Sequence, residues 1–220
     1  MRLILVRHGQ TPSNEIGALD TAEPGPGLTA LGREQAALLP EALAAERIDA
    51  IVVSSLVRTH ETADALAADR GLEPVVRRGI REVAAGDLEM RTDRASVIAY
   101  LRTFGAWAAG DLEARMPGAE SGHEAFDRFD EVVREFAAAG HASVVLVSHG
   151  AMIRYWVARA TSNIDAEFVS THELSNTGVV IVNGSPDEGW NTESWTGIPI
   201  GGPAVADLAG DGPAADAVPA

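Results

Sequence analysis

Three short apolar runs constrain this chain more than any other feature: Leu3–Val6, Ala50–Val53 and Ser143–Ser148, each leading into a polar turn or loop. Runs this short, apolar without alternation, suit strands buried on both faces, as in a parallel sheet. Helical segments follow. Thr29 is placed to cap a helix with Ala36, Leu39 and Leu43 on one face, and Ser54 or Ser55 to cap another that Gly71 closes. Strands alternating with amphipathic helices imply βαβ units. The expected fold is α/β, a three-layer sandwich whose mainly parallel central sheet is flanked by helices.

Glu73–Arg77 reads as a shorter third strand, and 124–139 and 150–160 as helices. Thr177–Asn183 and Gly189–Thr196 form a hairpin around a Ser-Pro-Asp-Glu-Gly turn. The rhythm breaks between Arg81 and Ser121, which holds one helical stretch, about 95–108, and no clear strand. This reads as an insertion covering the sheet, with a cap near 90–118. From Pro199 onward Gly, Pro, Ala and Asp dominate without period. The expected organisation is one domain over 1–198 and a disordered tail over 199–220.

The net charge is −15 and all 17 basic residues are Arg, with no polybasic run, so nucleic acid and anionic membranes are poor partners. The absence of Cys removes disulfides, thiol nucleophiles and cysteine-bound metals. No apolar stretch approaches a transmembrane span, and the N-terminal run is too short for a signal core. A soluble cytoplasmic protein is expected.

Two strands end alike, in Val6-Arg7-His8-Gly9 and Val147-Ser148-His149-Gly150. In open α/β sheets, sites gather at carboxyl ends of strands, so His8 and His149 are placed to meet. Gly9 and Gly150 permit close backbone approach to an anion. A single such histidine is more simply a strand-end residue satisfying the backbone. Arg7, and Arg58 in the first turn after the second strand, change the balance. Two arginines and two histidines converging on one point suit a dianionic phosphoryl group, since Arg donates in a planar fork.

These residues resemble the histidine phosphatase superfamily, the phosphoglycerate-mutase-like fold. The most specific match is Leu5-Val-Arg-His-Gly-Gln-Thr-Pro-Ser-Asn14. Leu28-Thr-Ala-Leu-Gly32, Ser54-Ser-Leu-Val-Arg58-Thr and Ser148-His149-Gly150 support it, with Arg81-Glu82 as the acid-bearing segment and Glu120-Ser121 and Asn176-Thr-Gly as weaker matches. The likeness implies catalysis by His8, Glu82, Arg7, Arg58 and His149, and substrate binding by Asn14, Gly9, Gln10, Thr11 and Gly150.

The resemblance implies a phosphohistidine on His8, oxygen-holding by Arg7, Arg58 and His149, and Glu82 as proton donor. The plainer reading of Glu82 is an ion pair with Arg81 or Arg78. No metal or cofactor is expected, because arginines supply the positive charge; His60, His123 and His141 read as surface residues. Gly86-Asp-Leu-Glu-Met90 replaces the aromatic-Glu-Gly of many relatives, and the extended basic motifs of mutases are absent. The expected activity is hydrolysis of a small-molecule phosphate ester. A mutase and a non-catalytic phospho-ligand binder are the alternatives. Arg91, Arg94, Tyr100, Arg102, Trp107 and Arg115 of the insertion either contact a second anionic group or form a solvated face. The Thr177–Asn183 strand offers an edge for a homodimer, as in many relatives.

Overall fold

The computed structural model describes residues 1–206 and 212–213. Its strands are β1 (Arg2–Arg7), β2 (Ala50–Val53), β3 (Val75–Val76), β4 (Ser143–Ser148), β5 (Val179–Ser185) and β6 (Gly189–Thr196). Its α-helices are α1 (Pro12–Glu15), α2 (Ala30–Ala37), α3 (Leu39–Ala42), α4 (Val57–Arg70), α5 (Arg94–Ala108), α6 (Gly122–Ala138), α7 (Gly150–Ala160) and α8 (Ala166–Thr171). One sheet has the order β3-β2-β4-β1-β5-β6. The first four strands in that order are parallel, and β5 and β6 add an antiparallel edge. The mainly parallel sandwich with a terminal hairpin is thus the observed fold.

Successive side chains of a strand face opposite sides of the sheet, and the core divides accordingly. Leu3 and Leu5 of β1, with Val144 and Leu146 of β4, join the layer containing Phe104, Phe129 and Trp156. Ile4, Val6, Val145 and Val147 join the opposite layer with Leu39, Ala63 and Leu66. All four apolar residues of β1 are fully buried, so Leu5→Ala carries the ~2–5 kcal/mol of a core truncation. This double-sided burial explains why both histidine-bearing strands read as unbroken apolar runs.

Several expectations need correction. The N-cap of α4 is Leu56, without a side-chain cap; Ser54 Oγ accepts from the Leu56 amide at 3.2 Å, one step before the helix, and Ser55 Oγ donates to Glu23. Pro40 in the first turn of α3 accompanies a break after Ala37, so Ala36, Leu39 and Leu43 do not share one helix. The third strand shrinks to two residues. The strand at 179–185 lies between β1 and β6, so it has no free edge for a dimer. Finally, 199–206 follow a defined course rather than a disordered one. Ile200 packs against the second apolar layer, Gly202–Val205 forms a 3-10 turn, and Gln35 Nε2 donates to the Val205 carbonyl at 2.8 Å. The Gly- and Pro-rich composition hid this apolar anchor. The rest of the expected tail, apart from Gly212 and Pro213, lies outside the described residues.

Candidate active site

β1 and β4 are adjacent and in register, with Arg7 opposite Ser148, so the residues that follow meet at one sheet edge. The His8 and His149 rings lie with centroids 5.2 Å apart. His8 Nδ1 is 2.8 Å from the Gly9 carbonyl oxygen. A carbonyl only accepts, so Nδ1 carries the proton and Nε2 keeps its lone pair. Burial, reinforced by the positive charges of Arg58 and Arg7, holds the His8 imidazole well below its ordinary pKa. His8 is therefore neutral at neutral pH. Its backbone carbonyl accepts from Asn176 Nδ2 at 2.9 Å and from the Thr177 amide, whose φ of 57° is left-handed.

His149 is fully buried behind His8. Its Nε2 lies 2.8 Å from Ser54 Oγ, and its Nδ1 accepts from Arg58 Nε at 3.4 Å. Burial, then Arg58, keeps it well below its ordinary pKa as well. Both ring nitrogens thus have protein partners, and the ring is placed to steady Arg58.

Arg58 stands at the start of α4, Nη2 donating to the Asp20 carbonyl at 2.9 Å and Nη1 lying 3.8 Å from Asp20 Oδ1. Nη1 is buried with no hydrogen-bond partner among the described residues. A Cβ on Gly25, whose φ is +64°, would sit 2.7 Å from Nη1, so a side chain there would displace the guanidinium. Arg7 Nη1 donates to the Leu174 carbonyl at 2.7 Å. A buried donor on a cation is costly to leave unmatched, and an anion in this cavity would match it.

Glu82 is not paired with Arg81, which instead binds Glu120 at 2.9 Å. Its Oε1 accepts from the Val83 and Met152 amides at 2.9 and 3.0 Å, and its Oε2 from the Ala151 amide at 3.1 Å. The carboxyl therefore caps the first turn of α7, directly after His149. Burial raises its pKa above the ordinary value, opposed by these three N–H groups. Oε2, with the single acceptor contact, is the natural seat for a proton.

Arg7, His8, Thr11, Asn14, Arg58 and Glu82 line one cavity. Its remaining wall includes Ser13, Ala18–Thr21, Tyr100, Gly212 and Pro213. Gly9, Gln10, His149 and Gly150 are set back from it. The Gly9 amide donates to Thr62 Oγ1, and a Cβ on Gly9 would lie 2.7 Å from the Gly32 carbonyl oxygen. The Gln10 side chain accepts from Thr29 Oγ1 and its amide donates to Gln35 Oε1. These two residues lock the loop onto α2. The amides after Gly150 serve Glu82 rather than an outside anion.

The departure at 86–90 has a structural role. Glu89 accepts from the Thr21 and Ala22 amides and from Thr21 Oγ1, at 2.8, 3.0 and 2.6 Å, pinning the cavity wall. In the cap at 90–118 only Tyr100 reaches the cavity, its hydroxyl donating to the Val83 carbonyl. Trp107 is core, and the exposed Arg91, Arg94, Arg102 and Arg115 do not line the cavity, although the Arg91 carbonyl accepts from the Leu19 amide of its wall at 3.0 Å. Sequence reasoning missed Asp20, Thr21, Ser54 and Arg128. Arg128 donates to the Gly79, Arg81 and Glu82 carbonyls and forks onto Glu120, bracing the segment that carries the acid. Asp20, Thr21 and Arg128 carried no local signal, whereas Ser54 lay in the motif around Arg58 and was read there only as a helix cap. His172, exposed and stacked on Phe168, takes no part.

Among the described residues no three His, Asp or Glu side chains gather to hold a metal ion, and no helix is long and apolar enough to cross a membrane.

Comparison with known proteins places the chain by sequence and by fold. The chain is 38% identical over 212 residues to the PE-PGRS family protein PE_PGRS11 of Mycobacterium tuberculosis, covering 89% of this chain but only 36% of that protein. It is 32% identical over 163 residues to an adenosylcobalamin/alpha-ribazole phosphatase of Escherichia coli, covering 72% of this chain and 78% of the relative. A mycobacterial glucosyl-3-phosphoglycerate phosphatase solved with VO3 superposes with a TM-score of 0.73 at 28% identity, covering 89% and 98% of the two chains. The sequence profile of the histidine phosphatase superfamily (branch 1) matches residues 3–197, and the chain belongs to that superfamily.

Proposed function

We propose that the protein is a metal-independent phosphomonoesterase that hydrolyses a small phosphorylated metabolite through a phosphohistidine on His8. The observation that carries this reading is a neutral His8, its Nδ1 proton held by the Gly9 carbonyl, sharing one cavity with Arg7, Arg58 and Glu82. Nε2 attacks phosphorus as the ester P–O bond breaks. The arginines hold the equatorial oxygens where negative charge accumulates. Glu82 gives its proton to the departing alkoxide, then takes one from the water that attacks the phosphohistidine. The P–N bond breaks and its electron pair returns to Nε2. Thr11 and Asn14 line the rim, and His149 keeps Arg58 in place.

The directions of the two pKa shifts predict a mildly acidic optimum. Activity falls on the acid side as His8 protonates and on the alkaline side as Glu82 ionises. The test is p-nitrophenyl phosphate hydrolysis by wild type and His8→Ala with EDTA present. Activity that survives EDTA and vanishes in the variant supports the reading. EDTA-sensitive activity, or none from the wild type, rejects it.

A further inference from the structure

Resting on the phosphatase reading above, we infer that the cavity rejects a second anionic group on the leaving alcohol, and that Asp20 is the residue imposing this. The substrate is then a phosphomonoester of a neutral or cationic alcohol, lacking a carboxylate, sulfate or second phosphate.

The argument begins with the charges on the wall. Among the described residues lining the cavity, the permanent cations are Arg7 and Arg58, and the carboxyl groups are Asp20 and Glu82. Asp20 is held by Ser13 Oγ on its Oδ2 and faces Arg58 Nη1 at 3.8 Å through Oδ1, its side chain 8% exposed. The two arginines match a phosphoryl dianion, and Asp20 cancels part of that positive charge. A second anion on the alcohol would enter a half-buried site already carrying Asp20, beside a Glu82 that turns negative as it gives up its proton. Like charges at such distances, outside bulk water, repel strongly.

Among the described residues no other cation lines the cavity, and Arg91, whose carbonyl accepts from the Leu19 amide, is paired with Asp93 at 2.9 Å. The arginines of the insertion are exposed and do not line the cavity. The neighbouring cleft beyond Thr21 contains Arg78 and Arg81, but Arg78 is bound to Glu23 and Arg81 to Glu120, each at 2.9 Å, and Glu89 lines the same cleft. The rest of the wall near Asp20 is Ala18, Leu19, Thr21 and Tyr100, which suits a neutral alcohol.

The test measures binding by calorimetry for n-propylphosphonate and 3-phosphonopropionate, which differ only in a terminal carboxylate and contain an unhydrolysable P–C bond. At neutral pH the wild type should bind propylphosphonate about tenfold tighter or more. Asp20→Asn should shrink that ratio several-fold, whereas Arg102→Ala should leave it unchanged. Equal or tighter binding of the carboxylate ligand by the wild type overturns the inference without touching the phosphatase reading. A preference that persists in Asp20→Asn overturns the role of Asp20. If neither ligand binds, the cavity is no phosphoryl site and both readings fall. Because binding is read without turnover, a wild type inactive on p-nitrophenyl phosphate rejects hydrolysis while the ligand ratio still tests charge selection.

Discussion

Replacing Glu82 by Gln separates proton donation from every other role of the site. The amide is nearly isosteric with the carboxyl group, so its oxygen can keep the Val83 and Met152 amides. Its NH2 group must then face the Ala151 amide, a donor against a donor, where the native Oε2 accepts at 3.1 Å. One buried N–H left unsatisfied costs about 1–3 kcal/mol of stability. The variant also sheds a carboxyl group that burial makes reluctant to ionise, which offsets part of that loss above the raised pKa. The chemical effect is larger and depends on substrate. General acid catalysis is worth about 10²–10⁴-fold when the leaving alkoxide is strongly basic. The p-nitrophenolate ion leaves without a proton. The assay is kcat/KM for glycerol 1-phosphate and p-nitrophenyl phosphate, because kcat/KM reports the first phosphoryl transfer. We expect Glu82→Gln to lose about a hundredfold or more on the glycerol ester, and under about tenfold on the aryl ester. Equal proportional losses on the two substrates would refute Glu82 as the proton donor.

Other outcomes follow from the same geometry. Gly9→Ala drives a Cβ to 2.7 Å from the Gly32 carbonyl oxygen, backbone that cannot swing away, so urea unfolding should show a loss of about 1–3 kcal/mol. Wild-type stability would mean the loop and α2 separate easily. His8 and His149 have folded-state pKa values well below the unfolded value of about 6.5, so the unfolded chain binds more protons there. Their contribution is complete above that value and is lost as pH falls below it, by up to about 1.4 kcal/mol per pH unit for each ring. His149→Gln should flatten the stability profile on the acid side, and an unchanged slope would show that this ring is not buried neutral. Arg128→Lys keeps the charge but loses the fork joining Glu120 to three carbonyls of the acid segment. It should lose about 1–3 kcal/mol in urea unfolding and several-fold in kcat/KM on alkyl phosphates, and wild-type values for both would remove its bracing role.

Much of the fold was legible because it rests on local pattern. The apolar runs at 3–6 and 143–148 occupy central strands, and a residue just past such a strand reaches the sheet edge wherever the chain turns next. His8 and Arg58 were therefore placed at one edge from position and neighbours, whereas Glu82 came from the family resemblance, its own neighbours reading as an ion pair. Adjacency failed where the direction of a side chain decided the matter. Gln10 follows the His8-Gly9 pair but is held by Thr29 and Gln35, and His149 sits behind the cavity instead of on its wall. Contacts between remote segments left no trace at all. Glu89 binds Thr21 across 68 positions and Arg128 binds Glu82 across 46, with no periodicity linking either pair. Ile200 was lost for a different reason: one apolar anchor was outweighed by the Gly and Pro around it.

The grip of α7 on Glu82 also bears on how such a protein can change. The stretch from Ser148 to Met152 ends β4, supplies His149 and holds Glu82 through two amides, while Ser148 Oγ donates to the Ile80 carbonyl two residues upstream of that acid. Alignment of His8, Arg7, Arg58 and Glu82 thus belongs to the sheet and to the first turns of α4 and α7. The α5 lid packs on α7 through Phe104 and Tyr155 and sends only Tyr100 into the cavity. By this division of labour, changes confined to the exposed face of 94–108 leave untouched the contacts that hold His8, Arg58 and Glu82, whereas its buried face, with Tyr100, Phe104 and Trp107, belongs to the core.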